Sequence, residues 1–173
     1  QRQMCIRDSL NAVDLLHRTV DLQARMLSRQ HADRLQCRMG CSGCCKDDLT
    51  VFEVEAALIQ ARHADVLAQA PHPEGACAFL DEAGACRIYA DRPYVCRTQG
   101  LPLRWIEQSL ADDGVMEVFE YRDICHLNDS DPPIETLDGE AFWTIGPTEE
   151  QLVDLQERHG PPKRVALRSL FAK

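Results

Sequence analysis

Four cysteines fall within nine residues of this chain, as Cys37-Arg-Met-Gly-Cys41-Ser-Gly-Cys44-Cys45. Thiolates so closely spaced can converge on one cation. The cation lowers their pKa values in turn, so such a loop deprotonates itself as metal binds. Gly40 and Gly43 suit a tight turn that aims Cys41 and Cys44 at a single centre. The vicinal pair Cys44-Cys45 is a poorer chelate, because adjacent side chains diverge; one of the two then serves a second site, bridges two metals or packs. Cys77, Cys86, Cys96 and Cys125 follow. Any one of them alone reads as an ordinary core residue, but four beside a cysteine loop read as ligands. The expected metal ligands are therefore Cys37, Cys41, Cys44, Cys45, Cys77, Cys86, Cys96 and Cys125.

The spacing leaves the metal open between zinc and an iron-sulfur cluster. Structural zinc usually takes two knuckles, each a close cysteine pair. Only Cys37–Cys41 and Cys41–Cys44 qualify here, and no second knuckle appears among the later cysteines. A clustered trio with a distant fourth thiolate is closer to the ligation of a 4Fe-4S cubane. Eight thiolates equally suit two four-thiolate zinc sites. Either centre carries net negative charge, which Arg92 and Arg97, flanking Cys96, could offset; surface placement is the competing reading. His31, on an apolar helical stripe, and His63 read as packing or surface residues. His126, next to Cys125, is the best histidine candidate, although adjacent side chains diverge as for the vicinal cysteines.

The cysteine count also bears on the compartment. The chain has nine cysteines in 173 residues. It opens without a basic, then apolar, then small-residue leader pattern, which makes a secretory signal unexpected and a reducing, cytoplasmic setting the expectation. There, clustered cysteines are metal ligands more often than disulfides. The opening run QRQMCIRDS reads as translated sequencing-adapter sequence, which would set Cys5 aside and leave eight. No apolar run approaches the roughly 18–20 residues of a membrane span. The net charge of −9 argues against nucleic acid, whose phosphates call for Lys and Arg. Residues 1–38 carry seven Arg against four Asp, whereas residues 106–150 carry thirteen acidic side chains and only Arg122. That acidic stretch is either a solvated face or a surface for a basic protein partner.

The elements that must position the thiols follow from periodicity. Val13, Leu16, Val20, Ala24, Leu27, His31 and Leu35 recur at helical spacing from Ser9 to about Leu35, with Leu15, Leu22 and Met26 widening the stripe. Arg18, Arg25, Arg29 and Arg34 lie largely off it. Thr50-Val-Phe-Glu53 reads as a capping box opening a helix to about Ala70. Cys77–Leu80 and Ala85–Tyr89 read as strands joined by Asp81-Glu-Ala-Gly84, a register that sets Cys86 opposite Phe79. Asp91 with Pro93 suggests the start of a short helix carrying Cys96. Leu103–Ile106 and Val115–Tyr121 are strand-like about the turn signal Asp112-Asp113-Gly114. Asn128–Gly139 reads as loop. Thr148-Glu-Glu-Gln151 is a second capping box, opening a helix to His159 that Gly160 ends, before a short basic tail helix. The expected architecture is one α+β fold, a small antiparallel sheet with helices packed around a cysteine-ligated metal centre. It divides into an N-terminal helix (1–36, with 1–9 set apart), a cysteine core (37–127), and an acidic loop with C-terminal helices (128–173).

Taken together, C-x3-C-x2-CC at Cys37–Cys45, Cys77-Ala-Phe-Leu, Cys86-Arg-Ile-Tyr89 and Arg92-Pro-Tyr-Val-Cys96-Arg97 resemble the YkgJ-type cysteine-cluster family. Its signature is CxxCxxCC and it is described as zinc- or iron-chelating. The first gap here is three residues rather than two. The resemblance covers roughly residues 37–100, with Cys125 as a late member, and implies metal chelation by these cysteines without naming a reaction. Cys37, Cys41 and Cys44 also match the C-x3-C-x2-C spacing of radical-SAM enzymes, but about 130 residues without alternating strands and helices do not supply the barrel those enzymes use. A related motif occurs in flagellin lysine methylases; no Gly-rich loop after a strand supports methyl transfer here. Nor is there a Ser-His-Asp pattern, a phosphate loop or H-E-x-x-H. The expectation is a metal-binding protein, the alternative an iron-sulfur enzyme or redox protein acting on a partner.

Overall fold

The computed structural model describes residues 2–111 and 114–171, with side chains from residue 7 onward. The Cys5 side chain and the turn residues Asp112-Asp113 lie outside the described residues. The fold is α+β: helices α1 (Arg2–Gln30), α2 (Glu53–Arg62), α3 (Ala64–Leu67), α4 (Tyr94–Arg97) and α5 (Pro147–His159), with strands β1 (Thr50–Phe52), β2 (Leu103–Leu110), β3 (Met116–Asp123), β4 (Trp143–Thr144) and β5 (Arg164–Ala166). β1 and β5 form an antiparallel pair. In the other sheet, ordered β3-β2-β4, the β2–β3 hairpin is antiparallel and β4 adds a parallel pairing at Leu103 and Arg104 only.

The long helix forms as its spacing predicts. Val13, Leu16, Val20 and Ala24 are buried against Val54 and Leu58 of α2, Tyr94 of α4, Trp143 of β4, and Leu152 and Leu155 of α5. The buried stripe is narrower than expected, because Leu15, Leu22 and Met26 face solvent. Arg34, expected off the stripe, is buried, and its guanidinium donates to the Pro132 carbonyl at 2.6 Å. α2 has apolar residues on two sides. Val54 and Leu58 join the first core, while Ala56 and Ile59 join a second with Val66, Phe79, Ile88, Leu167 and Phe171. The second core lies directly behind the cysteines, since Cys77 belongs to it and Cys45 and Cys86 pack on it.

Several local expectations give way to tertiary pairing. Thr50 is no capping residue: its backbone pairs with Ala166, and the helix begins at Glu53. The acceptor for the Val54 N–H is the buried Gln156 side chain of α5, at 2.9 Å. Arg62 and His63 close that helix, which does not run unbroken to Ala70. The Cys77–Tyr89 segment is a single bridge rather than two strands, and the bridge pairs Cys86 with Leu80, one residue from the expected register. Asp91 does not cap α4; its carboxylate takes hydrogen bonds from Arg62 and His63. α5 starts at Pro147 with no side-chain cap, so Thr148 has no capping-box role. The tail forms β5 and then a short helix, of the 3-10 kind, at Leu167–Leu170.

Candidate metal centre

Two tight turns present the first cysteines. Cys41 N–H donates to the Arg38 carbonyl and Cys45 N–H to the Ser42 carbonyl, both at 2.9 Å. Gly40 sits at φ 82, where a side chain would be strained. Gly43 has ordinary φ and open space around it, so only the first glycine is required by the turn. The Cys77 N–H donates to the Cys45 carbonyl at 2.9 Å, pinning the second cysteine segment to the first. Asp81 closes the following loop by accepting from the Ala83 and Ala85 N–H groups. That loop packs on the first: the Cβ position at Gly84 lies 3.6 Å from the Gly40 carbonyl and the Ser42 hydroxyl. Cys86 follows at the bridge, and α4 supplies Cys96.

The result is a gathering of thiols from four separate segments. Cys45 feels the charges of Cys44, Cys77 and Cys96, and Cys96 those of Cys77 and Cys86. Interaction between the adjacent Cys44 and Cys45 thiols draws Cys44 down to about 6 and, together with burial and the neighbouring thiols, raises Cys45. Burial first, then Cys77 and Cys86, pushes Cys96 up to about 12. Burial likewise raises Cys77 and Cys86. For Cys45, Cys77, Cys86 and Cys96 the physical sense is the same: thiols crowded against an apolar wall resist ionising unless a cation shares the space. Positive charge is at hand. Arg87 and Arg168 act on Cys77, and Arg92 and Arg87 act on Cys86.

Cys37 and Cys125 meet a different partner, Asn128. Its side-chain amide donates to Cys37 Sγ at 3.4 Å and to the Gly100 carbonyl at 2.8 Å. Its backbone N–H donates to the Cys125 carbonyl at 2.7 Å. Gly100 is tightly held there, since a Cβ would fall 2.5 Å from Cys37 Sγ. Cys41 lines a concavity with Met39, Gly40 and Leu127 on the same side of the loop. Among the described residues no three His, Cys, Asp or Glu side chains stand close enough together to hold a metal ion as placed. The donor chemistry of Cys45, Cys77, Cys86 and Cys96 nevertheless suits a thiophilic metal: soft sulfur ligands, Cys77 buried and the others partly so, with guanidinium groups nearby.

Behind Cys96 lies a polar network that sequence reasoning missed. Glu55, buried on α2, accepts from the Tyr94 N–H at 2.8 Å, at the start of the helix that carries Cys96. The same oxygen meets His17 Nε2 at 2.9 Å. Arg97 approaches His17 Nδ1 at 3.3 Å and Asp21 at 2.6 Å. A guanidinium only donates, so Nδ1 accepts and the ring proton on Nε2 goes to Glu55. Arg97 is thus turned to α1, whereas Arg92 holds the Cys96 carbonyl at 3.2 Å and lies over Tyr89. His17 and Asp21 are four residues apart, hence one turn of α1; His17 within the apolar stripe was the available signal. His31 donates to or accepts from no thiol; it meets the Ala141 carbonyl at 2.7 Å. His63 meets Asp91, and His126 is exposed.

Residues 36–121 match the CxxCxxCC family, described as "Putative zinc- or iron-chelating domain". The match takes in Cys37 through Cys96 and leaves Cys125 outside. No curated protein and no solved structure matches the chain.

Proposed function

We propose that this chain, whose residues 36–121 belong to the CxxCxxCC family, binds a thiophilic metal centre through Cys45, Cys77, Cys86 and Cys96. Cys44 stands at their edge as a fifth thiol, and Cys37, Cys41 and Cys125 form an outer group on the side of Asn128 and Leu127. The reading rests on one observation above all: Cys45, Cys77 and Cys86, from three separated segments, pack on one apolar wall together with Val95, the neighbour of Cys96. Bound zinc would staple these segments or act as a Lewis acid, and a cubane cluster would exchange an electron. The chain's own part is to gather the sulfurs, to exclude water with the Phe79 and Ile88 core, and to set Arg87 and Arg92 beside the resulting negative charge.

Metal content by mass spectrometry, with a visible spectrum, on protein purified without oxygen tests this. Iron with acid-labile sulfide and a broad absorption identifies a cluster; colourless protein with stoichiometric zinc identifies a zinc centre. Protein that takes up neither metal from an excess, while folded, overturns the reading.

A further inference from the structure

Two exposed surfaces of this chain are complementary to each other. On α1, Leu15, Leu22 and Met26 are 66%, 59% and 70% exposed, and Arg18, Arg25 and Arg29 are exposed beside them. These residues recur at spacings of three and four, so they form one stripe on the side away from Val13, Leu16 and Val20. From Leu15 to Arg29 the stripe runs about 21 Å at 1.5 Å per residue. It is aliphatic and carries guanidinium groups.

The β2–β3 hairpin is the reverse in charge. Beyond Arg104, β2 has no strand on its outer side among the described residues, and neither has β3. Alternation places Leu103, Trp105, Glu107 and Ser109 on one face with Asp123, Tyr121, Phe119 and Glu117 opposite them. Trp105 stacks on Tyr121 with ring centroids 5.4 Å apart, and Phe119 continues the aromatic row at 6.5 Å. Phe119 and Tyr121 remain 43% and 41% exposed. Glu107 and Glu117 flank Phe119, and no Lys or Arg shares this face. Arg104 and Arg122 lie on the other one, where both pair with Glu120. Eight residues of strand span about 26 Å at 3.3 Å each, a length that matches the helix stripe.

We propose that the aromatic, carboxylate-bearing face of this hairpin receives the arginine-bearing stripe of α1 from a second copy of the chain, forming a homodimer. Arginine over an aromatic face and methionine sulfur beside an aromatic ring are both favourable contacts. The carboxylates at Glu107 and Glu117 supply the opposite charge to Arg25 and Arg29. Each copy carries one hairpin and one stripe, so a two-fold exchange satisfies both surfaces of both copies and closes the assembly. The local pairing also offsets the repulsion between two chains of net charge −9.

Sedimentation velocity on the metal-loaded chain, over a range of concentrations, tests the proposal with two charge-reversed double variants. One carries Glu107→Lys and Glu117→Lys, the other Arg25→Glu and Arg29→Glu. The unaltered chain is expected to be a dimer. Each variant alone should dissociate about tenfold or more weaker, as expected for lost close charge pairs, and an equimolar mixture of the two should recover the dimer. Circular dichroism and metal content show that the variants are folded; if either is not, Met26→Ser and Phe119→Ser probe the same contact. A monomeric unaltered chain overturns the proposal, as does a dimer indifferent to both reversals or a mixture that stays monomeric.

Discussion

Cys86 and Cys125 should respond differently to the same substitution. Cys86 lies against the second core, within the charge field of Cys77 and Cys96. The Cys125 carbonyl accepts from the Asn128 N–H, and Cys125 lies outside that core. Changing Cys86 to Ser should therefore abolish metal at the inner site and lower the unfolding midpoint of the loaded protein, whereas Cys125→Ser should keep that metal. Stoichiometry by mass spectrometry decides, and equal loss from both variants would sink the sorting of the thiols into two groups. Glu55 should matter without touching metal. Removing its carboxylate strands the buried Tyr94 N–H, a cost of about 1–3 kcal/mol, and loosens the helix that holds Cys96. Glu55→Ala should weaken metal affinity in a chelator competition, while Glu55→Gln, which still offers a carbonyl oxygen to Tyr94, should largely restore it. The cysteines themselves were legible in sequence because chelation demands donors at close spacing. Their division was not, since it depends on which segment Cys77 and Asn128 grip. His17 and Glu55 were equally hidden: nothing local marks two polar residues 38 positions apart as partners.

At the scale of elements, one polar side chain reinforces the apolar join between α2 and α5. Gln156 is fully buried; its oxygen accepts from the Val54 N–H and its amide donates to the Pro161 carbonyl at 2.9 Å. Gln156→Ala leaves the buried Val54 N–H unpaired, while water can reach the exposed Pro161 carbonyl, and should destabilise the chain by about 1–3 kcal/mol. Urea unfolding measures it, and a loss within error of zero would show that water or a rearranged loop replaces the amide. The same contact explains why the capping motif at Thr50–Glu53 misled. A capping box is a local solution to unsatisfied helix N–H groups, and here the fold supplies a distant acceptor and gives Thr50 to a strand instead. α1 was readable because it repeats its period for several turns, and the β2–β3 hairpin because two strand-like runs flank a turn signal; α5 was read from a capping box that does not form, with Gly160 marking its end. β1, β4 and β5 are two or three residues long, too short for any period to register. The bridge at Leu80–Cys86 slipped one residue from expectation because Asp81 binds two backbone N–H groups and lengthens the turn.

Across the whole molecule, α1 is fastened to the cysteine-bearing part by charge as well as by its apolar stripe. Arg62, at the end of α2, bridges Asp14 of α1 and Asp91 of the turn before α4, and Asp91 also meets His63. The Arg62 hydrogen bond holds the Asp14 carboxyl below its ordinary 3.8 against a smaller opposing effect of burial. For Asp91 burial is the largest influence and pushes upward, yet Arg62 and His63 together outweigh it, so its net displacement is also downward. A carboxyl whose folded pKa is depressed stabilises the fold above the unfolded value, and that stability disappears as pH falls through the folded one. The clasp should thus be intact at neutral pH and should fail below about pH 4, where an unfolded chain begins to bind protons that the folded one refuses. The measurement is the urea midpoint against pH for metal-free protein, because acid displaces metal from thiolates by itself and would mask the effect. Replacing Asp14 and Asp91 with Asn should lower the midpoint at pH 7 and flatten its acid decline, so that the two curves converge once pH has fallen below the depressed folded values of the two carboxyls. Parallel curves would mean that the clasp contributes geometry rather than charge. In that case the hold of α1 on the thiol-bearing segments rests on Val13, Leu16, Val20 and Ala24, on the His17–Glu55 contact and on the Arg97–Asp21 pair.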